Sequence, residues 1–170
     1  MDQESGWYAV YTKSRQEKSL LSRLSVQGIE SYVPLRKTLK QWSDRKKWVE
    51  EVLIRSYVFV KVRRNQYDAV LNTPGAVRFI WFDGKPARIP ERQIDFLKRV
   101  AGSDTEITLI SRNFRPGTPV RIIAGPFQGF TGELLASEKK HQVVLRIDHI
   151  DIALSLTISP EMIEEVTDKQ

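Results

Sequence analysis

The chain has 170 residues, 41% hydrophobic and 9% aromatic, with no cysteine and a formal charge of +6, which is enough for one ordinary core or two small ones. No apolar run approaches the ~20 residues that cross a bilayer, and the opening "MDQESGW" is acidic and polar where a secretory leader would be basic and then apolar. We therefore expect a soluble cytoplasmic protein. The charge is unevenly divided, with twenty Lys and Arg against eleven Asp and Glu over residues 1–102, net +9, and seven against ten over 103–170, net −3. A basic half beside a mildly acidic one suggests a polyanion partner for the first half and something else for the second.

In chain order, "WYAVYT" (7–12) is β-branched and aromatic and suits a strand, with Tyr8 and Val10 on one face and Trp7, Ala9 and Tyr11 on the other. Ser14 with Glu17 three residues later forms a capping box for a helix whose stripe is Leu20, Leu21 and Leu24 and whose stop is Gly28. Arg15 and Lys18 then point away from the leucines, to solvent or a partner. "SYVPL" (31–35) leads into a polar, basic excursion over 36–47 that includes Arg45, Lys46 and Lys47. "VLIRSYVFVKV" (52–62) is the strongest strand signal, with Val58, Val60 and Val62 on a core face and Tyr57, Phe59 and Lys61 on the other. Residues 65–73 suit a short helix, 76–82 a further strand, and 90–100 a helix with Ile94, Leu97 and Val100 inward. An antiparallel sheet packed with helices follows, as an α+β domain over 1–100.

Small, acidic and Arg-Pro-Gly residues over 101–116 read as a mobile linker. Beyond it, Val120, Ile122 and Ala124 alternate, Gly125 and Pro126 turn the chain, and Gly129 and Gly132 make positive φ or close backbone approach cheap. "HQVVLRI" (141–147) and "ALSLTIS" (153–159) are further β-rich runs, and "PEMIEEV" a short terminal turn or strand. Four or five short strands over 117–170 make a small SH3-like β-barrel with glycine at its corners. Helix through 120–134 is penalised by about 1 kcal/mol per interior glycine and about 3 for the proline, so this β-structure is expected to be constitutive.

"PGTPVRIIAGPFQGFTGEL" resembles the KOW motif, carried here by Gly125, Pro126, Phe127, Gly129, Phe130 and Gly132. "WYAVYTKSRQEKSLLSRL" and "LIRSYVFVKV" resemble the opening helix and central strand of the amino-terminal (NGN) domain of NusG, a bacterial transcription elongation factor. The resemblance covers about the whole chain. Arg55-Ser56-Tyr57 stands where housekeeping members commonly have Pro-Gly-Tyr, and "DHID" (148–151) where they tend to carry an aromatic used to meet Rho or a ribosomal protein, so the chain looks more like the specialised RfaH and UpxY type of antiterminator.

The resemblance implies a protein that sits on the clamp region of RNA polymerase, with the KOW domain recruiting a ribosomal protein or another factor. Carried onto this sequence, the polymerase-binding depression falls on Tyr8, Tyr57 and Phe59, with Phe79 or Trp81 nearby; with a constitutive barrel, Tyr57 and Phe59 are expected to be open in the free protein. Contact with non-template DNA of the transcription bubble falls on Lys13, Arg15, Gln16 and Lys18, and the Arg45, Lys46, Lys47 turn reaches upstream DNA. The alternative is a ribosome-associated or RNA-binding KOW protein, against which the −3 balance of the second half argues. A monomer without cofactor, metal or catalytic role is expected: His141 and His149 lack a cysteine or carboxylate cluster around them, and no phosphate-binding glycine loop precedes a helix.

Overall fold

The computed structural model describes residues 4–111, 117–136 and 141–167 and divides into two compact units, Met1–Ala101 and Gly102–Gln170. The first holds β1 (Gly6–Thr12), α1 (Glu17–Val26), β2 (Glu30–Tyr32), β3 (Leu35–Gln41), β4 (Lys46–Val52) and β5 (Tyr57–Val62). It continues with α2 (Tyr67–Leu71), β6 (Ala76–Phe79), β7 (Trp81–Phe82), β8 (Lys85–Pro86), β9 (Arg88–Ile89) and α3 (Glu91–Ala101). The second holds β10 (Ile107–Ser111), β11 (Thr118–Ile122), β12 (Thr131–Ala136), β13 (His141–Arg146), β14 (Ile152–Thr157) and β15 (Ile163–Glu165).

The main sheet of the first unit runs β2-β5-β1-β6, with β9 also paired to β1. Tyr8 faces Val60 and Val10 faces Val58 across β1 and β5, so period-two alternation puts Val58, Val60 and Val62 together. These valines join Leu20 and Leu24 of α1, Val70 of α2 and Phe79 in one buried cluster. The opposite face carries Trp7, Ala9, Phe59 and Tyr32, and α3 lies on it, its Lys98 ammonium 5.7 Å from the ring centres of both Trp7 and Tyr32. Burial there pushes the Tyr32 phenol up to about 12. Both faces of the sheet are therefore covered.

Three local readings change. Helix α1 starts at Glu17 without a side-chain cap, because Arg15 takes a positive φ of 59° and residues 13–16 close as a turn, leaving Ser14 outside the helix. Its C-terminus is as read: Gly28, at φ 72°, donates to Ser25 O and Ile29 to Leu24 O, a Schellman motif. The expected strand over 52–62 is two, interrupted where Leu53 donates to Pro34 O and Ser56 turns to φ 69°. That break turns the basic excursion into a separate two-stranded hairpin, β3-β4, in register from Leu35–Val52 to Gln41–Lys46. The strand over 76–82 likewise divides, its second part forming a small hairpin, β7-β8, around Asp83 and Gly84 at φ 51° and 73°.

The second unit is one antiparallel sheet ordered β10-β14-β13-β12-β11-β15. Strand β10 falls inside the stretch read as linker, yet pairs with β14 over five residues, Ile107–Leu156 to Ser111–Ile152. Its β-branched residues satisfy their backbone groups on an edge that would otherwise be open. Residues 112–116 of the same stretch lie outside the described residues. Strands β11, β13 and β14 are those read from the sequence, with Val120, Ile122, Val143, Leu145, Leu154 and Leu156 buried; β12 follows the glycine-rich stretch, and the terminal segment left as a turn or strand contains β15.

Candidate functional site

Aromatic side chains on β1, β5 and β6 fall into two groups on opposite faces of the sheet, and the difference follows from register. Tyr8 packs against the valine cluster, with Tyr67 and Phe79 ring centres 5.5 and 6.1 Å away. Tyr57 and Phe59 are on the other face, opposite Tyr11 and Ala9. The expected five-residue depression is therefore not one surface. Phe59 and Phe79 are 0% and 1% exposed and belong to core, contrary to the expectation that Phe59 lies open. Trp81 is exposed, but on the separate β7-β8 hairpin beside exposed Phe82.

What the sheet does offer is the end of the α3-side face. Tyr11, 37% exposed, meets Tyr57 edge-on at 5.7 Å, and the Arg78 guanidinium stacks 5.7 Å from the Tyr11 ring. Strand register sets the three in a row, with Tyr57 beside Tyr11 and Tyr11 beside Arg78. Alternation set Tyr11 apart from Tyr8 along β1, but the expected depression grouped Tyr8 with Tyr57; only the pairing of β1 with β5 and β6 brings Tyr57 and Arg78 to Tyr11.

The entry to α1 lies at the same end of β1. Lys13, Arg15 and Lys18 are exposed and Gln16 is half-buried. Gln16 accepts from Arg23 at 3.4 Å, and Arg23 also donates to Pro74 O at 2.8 Å, which ties α1 to the turn before β6. Lys18 donates to Glu50 O at 2.6 Å and so braces β4. Gln16 and Lys18 thus have structural partners, while Lys13 and Arg15 extend to solvent. Glu17, 5% exposed, accepts the Ser56 N–H at 2.8 Å, and Ser56 O in turn accepts from Thr12 N at 2.9 Å. The sequence reading gave Glu17 to a cap; its partner is 39 residues away.

Arg45, Lys46 and Lys47 are all exposed at the tip of the β3-β4 hairpin. The tip also carries Trp42, Trp48 and Leu39, 54%, 65% and 46% exposed. These aromatics went unread in the sequence, although their alternation with lysine in "TLKQWSDRKKWVEE" was visible. Lys40 pairs with Glu51, and that hydrogen bond holds the Glu51 carboxyl below its usual range.

In the second unit the glycine-rich stretch is a loop between β11 and β12. Gly125 and Gly129 take φ of 82° and 89°, and Gly129 N donates to Ile122 O at 2.7 Å. Folded back this way, the loop buries Phe127 and Phe130. Gly132 serves differently: a Cβ there would lie 2.6 Å from Val144 O, so this position needs close strand approach rather than positive φ.

Comparisons with known proteins agree with this architecture. The family profile described as "Transcription termination factor nusG" matches residues 5–98. A Pseudomonas aeruginosa protein named "Transcription termination/antitermination protein NusG" is 33% identical over 139 residues, covering 74% of this chain and 78% of that one. The protein of the same name from Bacillus subtilis is 29% identical over 146 residues, covering 77% and 81%. A solved structure titled "Domain interaction in Thermotoga maritima NusG" matches with a TM-score of 0.58 at 23% identity, covering 96% of this chain and 98% of that one, a likeness of fold. With an NGN-type sheet, a KOW-type glycine loop and these matches together, the chain belongs to the NusG family.

Proposed function

We propose that this protein is a transcription elongation and antitermination factor of the specialised RfaH and UpxY type, which docks on RNA polymerase through its first unit. The names of its relatives, termination/antitermination proteins, support the general role. The observation that carries the docking surface is the Tyr11, Tyr57, Arg78 row. It is an aromatic and cationic end on a sheet whose two faces are otherwise covered, the composition enriched at the centres of protein interfaces. Lys13 and Arg15 at the entry of α1, with Arg45, Lys46 and Lys47 on the hairpin, supply phosphate contacts to the non-template strand and upstream DNA.

In this reading the second unit recruits a further protein. Its acidic balance disfavours nucleic acid, and "DHID" at 148–151 in place of an aromatic disfavours Rho. Its part is tethering, and the whole mechanism is one of binding, with no bond made or broken by the chain.

The test is transcription by core polymerase on a template with a defined pause and terminator. The full chain is expected to shorten the pause or raise read-through, and Tyr11→Ala with Tyr57→Ala to remove the effect while the far-UV spectrum stays unchanged. An unchanged effect in that variant would rule out this docking surface.

A further inference from the structure

The β3-β4 hairpin exposes two indoles at a place the fold does not need them. Trp48 and Trp42 are 65% and 54% exposed, and neither belongs to the buried cluster that takes in the hairpin's base at Leu35 and Val52. The base is also braced to α1 through Lys18 and Glu50, so the tip projects from a fixed root. Leaving two indoles in water forgoes a large apolar stabilisation. Their position therefore asks for a partner.

Register decides what kind. Leu39 pairs with Trp48 and Gln41 with Lys46, which share one face of the ribbon. Lys40 pairs with Lys47 on the other face, where Trp42, whose N–H donates to Arg45 O at 2.7 Å, closes the tip. Each face thus presents one indole next to cations. Among the described residues no carboxylate lies within ion-pair distance of Arg45, Lys46 or Lys47. A lipid surface would want the apolar groups on one side and the cations on the other. Indoles interleaved with unpaired cations on both sides match a chain in which π-faces alternate with phosphates.

We propose that the hairpin tip is a stacking platform for unpaired nucleobases, with Trp48 and Trp42 each taking a base and Arg45, Lys46 and Lys47 the adjoining phosphates. A duplex keeps its base faces stacked inside, so only single strands can use the indoles. The platform rests on the proposed nucleic-acid role of this hairpin and adds to it a selectivity for unpaired over paired strands.

The test uses the full chain without polymerase, fluorescein-labelled oligo(dT), oligo(U) and a blunt duplex of the same length, with binding read by anisotropy and by quenching of tryptophan emission. Tighter binding of a single strand than of duplex, with quenching, is expected. Trp42→Ala with Trp48→Ala should weaken single-strand binding about fivefold or more, leave duplex binding unchanged and abolish most of the quenching. Trp48→Phe, which keeps a π-face, should retain most of the affinity, and all variants should melt with the parent because both indoles are exposed. Lys46→Gln with Lys47→Gln should weaken both strand forms and flatten the salt dependence. Preference for oligo(dT) or for oligo(U) identifies the strand the platform serves, and either supports it. Equal affinity for duplex and single strand, or parental single-strand affinity in the double tryptophan variant, overturns the platform while leaving a charge-based role standing. If the lysine variant also binds as the parent does, the nucleic-acid role of the hairpin fails with it.

Discussion

Phe59 and Tyr57 are two residues apart on one strand face, and their substitution separates core from docking surface. Phe59 is 0% exposed beneath α3, so Phe59→Ala leaves a cavity in a close-packed layer, at a cost of about 3–5 kcal/mol. For a unit of this size each kcal/mol moves the melting temperature by about 4–8 °C, so the shift should be on the order of 20 °C. Tyr57 is only partly buried, and the edge-on contact with Tyr11 contributes about 1 kcal/mol beyond area. With the area its half-buried ring also loses, Tyr57→Ala should lower the melting temperature by about 5–15 °C, less than Phe59→Ala. Melting followed by far-UV circular dichroism and by tryptophan emission, with polymerase binding measured on the same preparations, separates the cases. Tyr57→Ala should lose binding and keep its fold; Phe59→Ala should lose its fold first. If Phe59→Ala melts as Tyr57→Ala does and yet loses polymerase binding, Phe59 is a contact residue and the burial argument is wrong.

Glu17→Ala should destabilise the first unit by about 1–3 kcal/mol, since it strands the half-buried Ser56 N–H. Ser56→Gly should stabilise it by about 1 kcal/mol by relieving φ 69°; urea titrations of the two variants check both, and a neutral Glu17→Ala would refute the bracket. Gly132→Ala should disrupt the second unit, because its Cβ would meet Val144 O at 2.6 Å, whereas Gly84→Ala, with open space around it, should show only a turn penalty; amide spectra with native dispersion in Gly132→Ala would contradict this. Tyr32 should ionise near pH 12, above the usual range of a tyrosine phenol. Because its folded pKa is raised, the associated stability is complete below about pH 10 and is lost between there and about 12; ultraviolet titration of Tyr32→Phe should lack this late step.

The parts of the fold legible in the sequence were those governed by period. The valines of β5, the leucines of α1 and the stop at Gly28 follow from local pattern, as do the two strands of "HQVVLRI" and "ALSLTIS". The glycine loop was legible because Gly125 and Gly129 do locally what only glycine does cheaply. What stayed hidden depended on distant partners. Glu17 looks like a cap until Ser56 is folded against it, and Ile107–Ser111 looks like linker until β14 offers it an edge. The site was legible by half: alternation gives the face of Tyr57, but only the placement of α3 shows that Phe59 is covered and Tyr11 is not.

Comigration with core RNA polymerase tests the central claim most directly. At low salt the full chain should elute with the polymerase in gel filtration, and the Tyr11→Ala, Tyr57→Ala variant, folded by circular dichroism, should elute alone. A parent chain that elutes free of polymerase and instead sediments with ribosomes would contradict the account and favour the ribosome-associated reading.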